Sequence, residues 1–195
     1  MRSNRSRLAV ALCVVVGSVT VLANGQPATA LDPQPYVEAA RAIAQAAQWA
    51  FLITVDRDGQ PQSRLMQPFA PDPDFEIWLG TTAGSRKVEQ LRHNPRATLS
   101  YLDPKGPDYL TLIGAARVVD AVNAKRAHWR EGWEKFFPGG PDGPEYVVIA
   151  FTPARIELVS NTHGIAHEPA SPAPAIVERR GDGWVVVRTG SRPRP

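Results

Sequence analysis

The chain is poor in cysteine. Its 195 residues include only one, Cys13. That residue lies within Leu8 to Ala23, which is also the only long apolar run. The run has sixteen residues, short of the ~20 that span a bilayer. Arg2, Arg5 and Arg7 precede it, and Ala28-Thr29-Ala30 follows it with small residues suited to cleavage. This order reads as a secretory signal peptide over residues 1–30, cut after Ala30. No adjacent arginine pair precedes the run, which argues against the twin-arginine route. The expectation is Sec-type export to a secreted or periplasmic location, with no stable membrane insertion after cleavage. Without Cys13 the mature chain has no disulfide, no thiol nucleophile and no cysteine metal site.

Excess charge is also missing. The whole chain carries 22 Lys+Arg against 19 Asp+Glu, a net charge of +3. The first thirty residues hold three arginines and no acid, so 22 less 3 leaves 19 bases against 19 acids. A balanced mature chain lacks the basic footprint of a nucleic-acid binder, and none is expected. Histidines number four. His163 and His167 have the spacing of paired ligands only on a helix, and Gly164 and Pro169 oppose a helix there. Two histidines do not make a metal site. They read as loop residues, with haem or metal contact as the minor alternative, and no metal site is expected.

What is present is a series of short strand patterns separated by turn signals. Asp32 to Pro35 leads into Tyr36, Ala40, Ile43 and Ala47, an amphipathic helix expected to pack on the body of the protein. Ala50 to Val55 and Gln60 to Phe69 read as a hairpin around Asp56-Arg57-Asp58-Gly59. Tyr109 to Asp120 is a long strand with Leu110, Leu112, Ala116 and Val118 on one face, and Gly114 marks a bend or bulge. Asn123 is a candidate helix cap, with Trp129, Trp133, Phe136 and Phe137 expected on one helical face as packing residues. Tyr146 to Phe151 and Arg155 to Val159 read as two strands around Thr152-Pro153. Glu168 to Pro174 is a linker. A last hairpin turns at Gly181-Asp182-Gly183, which accounts for the Arg180-Gly181-Asp182 tripeptide. Few helices and a bent long strand predict a mainly β fold, a small barrel with peripheral α-helices.

The chemistry concentrates in Ile77 to Tyr101. Ile77 to Leu79 are strand-like, Gly80 to Gly84 form a small-residue turn, and Ser85 can cap a helix. Val88 and Leu91 share that helix's inner face, Pro95 ends it, and Ala97, Leu99 and Tyr101 alternate as a strand. Thr81, Thr82 and Ser85 offer hydroxyls, and Gly80 and Gly84 would let the backbone approach a ligand. Arg86 and Lys87 put two cations in the first turn, where the helix dipole disfavours cations and favours anions. A phosphate waiting to bind and a merely solvated basic helix start both satisfy that pattern. Arg64, a cation between apolar neighbours in the second strand, is by itself an ordinary solvent-facing arginine.

The segment GTTAGSRKVEQLRHNPRATLSY resembles the T-x-x-x-S-R-K-x-x-x-L-x-x-N-P segment of the pyridoxamine 5'-phosphate oxidase-like, FMN-binding split barrels. The order Trp129, Phe137-Pro138-Gly139, Tyr146, Thr152-Pro153, Ile156-Glu157 is similar to their general stress protein branch, so the resemblance runs from about Ala47 to Ser160. It implies a split β-barrel, usually a homodimer with FMN in clefts between subunits. By the same resemblance Arg64 and Lys87 would neutralise the flavin phosphate, Arg86, Thr81, Thr82 and Ser85 would complete the cradle, and Leu65, Met66 and Gln67 would give backbone contacts to the ring. The implied organisation is a split-barrel domain over 31–160, a linker and hairpin over 161–190 completing it, and a disordered tail over 191–195.

The departures from the family pattern matter as well. The true oxidase ends its R-x-x-x-x-K segment on a lysine that meets the substrate phosphate, and here that position is Phe69. The oxidase's later tyrosine, arginine and serine set and its C-terminal arginine and histidine pair are not evident. Oxidation of pyridoxamine phosphate is therefore not expected, and no general acid or base stands out. The expected function is that of an FMN-dependent oxidoreductase on an unidentified small substrate. A deazaflavin-coenzyme reductase, a haem-binding split barrel and a non-catalytic cofactor-binding domain are the alternatives.

Overall fold

The computed structural model describes residues 31–103, 106, 108–165 and 173–187. The expected signal peptide, His167, most of the Glu168–Pro174 linker and the tail lie outside the described residues. Three α-helices, α1 (Gln34–Ala46), α2 (Arg86–His93) and α3 (Val122–Ala127), accompany eight strands. These are β1 (Ala50–Val55), β2 (Pro61–Met66), β3 (Ile77–Thr82), β4 (Arg96–Leu102), β5 (Tyr109–Val119), β6 (Tyr146–Val159), β7 (Ala175–Arg180) and β8 (Gly183–Val187).

All pairings are antiparallel, in the order β2-β1-β4-β5-β6-β7-β8, with β3 added on β6. Strand β6 serves two neighbours along one edge. Its first half, Tyr146 to Phe151, pairs with β3, and Arg155 to Leu158 pairs with β7. This forking closes the sheet into a mainly β split barrel with peripheral helices. Inward residues alternate as the pleat requires: Ala50, Leu52 and Thr54 on β1, Ala97, Leu99 and Tyr101 on β4, Leu110 and Leu112 on β5. Helix α1 plugs the interior with small residues, Ala39, Ala40 and Ala44, around Val37 and Ile43. Small side chains let it sit close to the sheet. No helix among the described residues is long and apolar enough to cross a membrane.

Two sequence expectations require correction. Residues 146–159 form one strand, not two. Pro153 is accommodated by a bulge, because the β5–β6 register shifts between Ile113 and Gly114, and Gly114 faces Pro153. A Cβ on Gly114 would come within 2.1 Å of the Thr152 carbonyl oxygen. Glycine thus permits the close approach that lets proline, with no N–H to give, stay inside a strand. The second correction concerns the aromatic helix. Helix α3 ends at Ala127, its cap position is Ala121 rather than Asn123, and Trp133 to Lys135 form a separate 3₁₀ turn after Gly132 at φ 82°. Trp129, Trp133 and Phe137 nevertheless gather on Tyr146, at ring separations of 5.1, 5.9 and 4.8 Å. Phe136 does not join them and is 63% exposed. A loop has brought together what the spacing assigned to a helix.

Candidate cofactor site

The site forms where β2, the end of β3 and the start of α2 meet. Arg64 points inward from β2, as alternation with the outward Ser63 and Leu65 requires. Its Nη1 donates to Thr54 Oγ1 at 2.6 Å and to the Leu52 carbonyl at 3.2 Å, and its Nη2 donates to Gln90 Oε1 at 3.1 Å. Thr54 in turn donates to Gln90 Oε1 at 2.6 Å. Both Thr54 and Gln90 are buried. The guanidinium is therefore aimed by β1 and α2 together, with neutral groups only.

Lys87 reaches the same region from the first turn of α2. Its Nζ donates to the buried Thr81 Oγ1 at 3.0 Å. Burial depresses the lysine's pKa, and the neighbouring charges of Arg64 and Arg86 push it the same way. Burial also lowers the arginine's pKa, with Arg86 adding repulsion. Among the described residues, neither Arg64, Arg86 nor Lys87 forms an ion pair. Three cations thus sit together with none of them ion-paired among the described residues, although Arg86 also borders a cleft lined by Asp56, Asp58 and Glu89. Arg64 and Arg86 each make the charged form of Lys87 less favourable.

Ser85 occupies the N-cap position of α2, but its side chain caps nothing. The hydroxyl oxygen is buried and, among the described residues, has no hydrogen-bond partner. The Arg86 and Lys87 amides are at the helix start, where no intrahelical acceptor exists. A Cβ on Gly84 would meet nothing within 4 Å, so the turn is open there. An orphaned hydroxyl, free helix-start amides and three unpaired cations together form a donor set that fits a phosphate dianion.

The remaining predicted residues divide. Thr82 is exposed, on the opposite face from Thr81, and its carbonyl accepts the Ser85 N–H at 3.1 Å. Leu65 is 54% exposed on the outer face of the sheet. Met66 packs against the core, and Gln67 lines a cleft beside Pro68. Gly80 has a different purpose from the one its type suggests. A Cβ there would lie 2.3 Å from the Trp133 ring, so the glycine makes room for an aromatic side chain rather than for a ligand. Sequence reasoning missed Thr54 and Gln90. The available signal was a hydroxyl at an inward position of β1 and an amide on the buried face of α2.

His163 lies in a turn and takes part in a separate polar cluster. Ser160 Oγ donates to Asp108 Oδ2 at 2.6 Å and lies 2.7 Å from His163 Nδ1. The serine's one proton goes to the carboxylate, so His163 must donate to Ser160 and cannot act as its base. Asp108 also accepts the Asn161 and Thr162 amides at 2.8 and 3.1 Å. Burial raises its pKa, but these hydrogen bonds outweigh burial and hold the carboxyl at about 2. The cluster clasps a loop and is not a nucleophile. Among the described residues, no group of three or more His, Cys, Asp or Glu could hold a metal ion.

Comparison with known proteins bears on the fold and the family. The chain resembles general stress protein 26 from Bacillus anthracis, at 24% identity over 65% of this chain and 94% of that one, with a TM-score of 0.55. It resembles a pyridoxamine 5'-phosphate oxidase-related, FMN-binding protein from Nostoc punctiforme at 14% identity, over 80% and 96% of the two chains, with a TM-score of 0.56. A haem-binding protein from Mycobacterium smegmatis aligns at 22% identity over 66% and 55%, with a TM-score of 0.53. At such identities these likenesses establish the fold alone. No curated protein sequence matches the chain. The family model for pyridoxamine 5'-phosphate oxidase matches residues 36–160. That span holds β1 to β6 and all three site cations, and the chain belongs to the pyridoxamine 5'-phosphate oxidase family.

Proposed function

We propose that this protein binds FMN and acts as a flavin-dependent oxidoreductase on a small molecule. The observation that carries the reading is the trio Arg64, Arg86 and Lys87, gathered from two elements and, among the described residues, not ion-paired. Arg64 and Lys87 would neutralise the flavin phosphate. Ser85 Oγ and the Arg86 and Lys87 amides would donate to its oxygens. The backbone from Leu65 to Gln67 continues away from Arg64 and would run beside the ring. The flavin, when bound, supplies the two-electron redox chemistry, and the protein supplies orientation and electrostatics. Phe69 in place of the oxidase lysine directs the activity away from pyridoxamine phosphate.

The working unit in this reading is a homodimer. Phe51, Leu65, Leu102 and Ile113 leave a broad apolar strip on the outer face of β2-β1-β4-β5, from 38 to 66% exposed. A second copy of the chain would cover it. Export through the segment over residues 1–30 would make cofactor uptake a step outside the cytoplasm.

The experiment is an absorbance titration of the exported protein with FMN, with deazaflavin coenzyme and haem titrated in parallel. Saturable uptake of FMN, strongly weakened in Arg64→Met and Lys87→Met variants that still fold, is the expected result. Binding of haem or deazaflavin in preference to FMN would overturn the cofactor assignment. Bound flavin that no donor reduces would remove the enzyme and leave a carrier.

A further inference from the structure

Arg130 is a further cation that forms no ion pair among the described residues and that the fold holds in a fixed place. It lies between α3 and the 3₁₀ turn, and its guanidinium rests on the Phe69 ring at 4.4 Å and near the Trp133 ring at 5.5 Å. Its Nη2 donates to the Pro68 carbonyl at 2.6 Å. Among the described residues no carboxylate meets it, and no other hydrogen bond is made by its remaining N–H groups. Burial lowers its pKa, although an arginine stays charged throughout the working range. Two aromatic faces and one carbonyl thus fix the plane of a guanidinium fork whose other donors are free.

A cleft of about 310 Å³ opens beside this fork. Its polar walls are Gln45 in the last turn of α1, Gln48 just after that helix and Gln67 just after β2, and among the described residues no acidic one lines it. The amides can donate or accept but carry no charge. The cleft therefore offers one positive charge and several neutral hydrogen-bonding groups. The Arg64, Arg86 and Lys87 cluster offers three positive charges. A dianionic phosphate suits three cations. A single fork beside neutral amides suits a single planar carboxylate, which it can grip with two parallel bonds.

We infer that this cleft binds a small organic carboxylate, held by Arg130 and oriented by the Gln45, Gln48 and Gln67 amides. The identification of that carboxylate as the redox substrate rests on the flavin reading. Gln67 lies three residues beyond Arg64, roughly 10 Å along extended chain. Arg64 and Gln67 thus belong to one run of chain, so a flavin whose phosphate Arg64 would hold would have this cleft as a neighbour along the strand. The substrate class is then a carboxylate-bearing small molecule whose reacting carbon lies next to the ring. Phe69, which interrupts the oxidase pattern, has its place in this arrangement as the platform on which the substrate-binding cation is stacked.

The test uses the purified protein, with and without FMN, titrated with benzoate and separately with inorganic phosphate. Side-chain NMR of the Arg130 Nε–H and the glutamine amides reports the cleft, and flavin absorbance reports the cofactor site independently. Saturable shifts of Arg130 and Gln67 with benzoate are expected, with affinity at least tenfold weaker in Arg130→Gln and partly kept in Arg130→Lys. Both variants should retain FMN binding, which also shows that they fold. Should Arg130→Gln fail to fold, the Arg130→Lys protein and the direct shifts in the unsubstituted protein decide the matter. FMN uptake with no benzoate shift, equal benzoate affinity in Arg130→Gln, or response to phosphate alone would overturn the carboxylate site. Benzoate binding in protein that never takes FMN would keep the site and remove its connection to flavin.

Discussion

Lys87 and Lys125 are two lysines drawn into the same fold in opposite ways. Lys125 is 3% exposed, and its Nζ donates to Asp120 Oδ1 at 3.1 Å and to the Gly143 carbonyl at 2.9 Å. Lys87 is only half-buried, yet among the described residues its one polar partner is a neutral hydroxyl and its charged neighbours are cations. The first lysine ties α3 to the loop before β6. The second is held where its charge is unwelcome. A cation buried with its partners is architecture, whereas a cation held among other cations marks a place where an anion is missing. This difference separates site from scaffold more sharply than exposure does.

The largest effect is expected from deleting charge in the unpaired group. Arg64→Met should weaken FMN binding about 100-fold, equivalent to about 2.7 kcal/mol and within the range for hydrogen bonds to charged groups. Thr54 and Gln90 would keep their own bond, so the melting temperature should hardly move. An Arg64→Met protein that melts far lower but binds FMN normally would reverse the comparison, making the arginine scaffold.

The paired lysine should show the reverse pattern. Lys125→Met takes the charged donor from the Gly143 carbonyl, which keeps only the longer bond from the Tyr146 N–H at 3.4 Å, and leaves Asp120, 68% exposed at its side chain, free to meet water. The cost should be about 2 kcal/mol, below the 3–5 kcal/mol of pairs buried on both sides, with FMN affinity unchanged. Gly80→Ala should cost a similar amount, about 1–3 kcal/mol, because its Cβ would strike Trp133 and Tyr146. Denaturant melts with a parallel FMN titration measure both quantities on each variant.

Much of this was legible in the residues themselves. Period-two alternation located the strands, and Gly114 announced the bulge. The cap, cation pair and Asn-Pro stop of 85–95 located α2. Arg64 could be brought to Lys87 only by family likeness, because their separation in sequence says nothing about which strands close on which helix. The loop-borne aromatics were misread for a physical reason. Trp129, Trp133 and Phe137 fit a helical period, but Gly132 breaks the backbone with a positive φ, and Tyr146 collects the rings from a distant strand. Arg130 was invisible for the same reason. Its position depends on stacking upon Phe69, a contact across more than sixty residues.

Alkaline pH probes the comparison more finely. Lys87's folded pKa lies below its ordinary value of 10.5. Below the folded pKa the lysine is charged in both states, and the folded state carries the full penalty of crowding. As pH rises through the folded pKa towards 10.5, the unfolded chain binds more protons and this lysine's contribution to stability increases. A phosphate in the site favours the charged form, so FMN affinity should fall over that same window. Lys87→Met should abolish both slopes, and pH-dependent melts with and without FMN would show it.

The smallest effect concerns Ser85. Its hydroxyl is buried and bonds to nothing among the described residues. An ordinary helix cap replaced by alanine costs about 1 kcal/mol of stability. Here the cap bond is not made, so Ser85→Ala should leave the ligand-free protein as stable as before, or slightly more stable, since an unsatisfied polar group has been removed. FMN affinity should fall about tenfold, the value of one hydrogen bond to a charged acceptor at the low end of its range, about 1.5 kcal/mol. The sign of the stability change is the informative quantity. If Ser85→Ala melts lower without cofactor, the hydroxyl serves α2, and the site loses the donor that points to a ligand rather than to the helix.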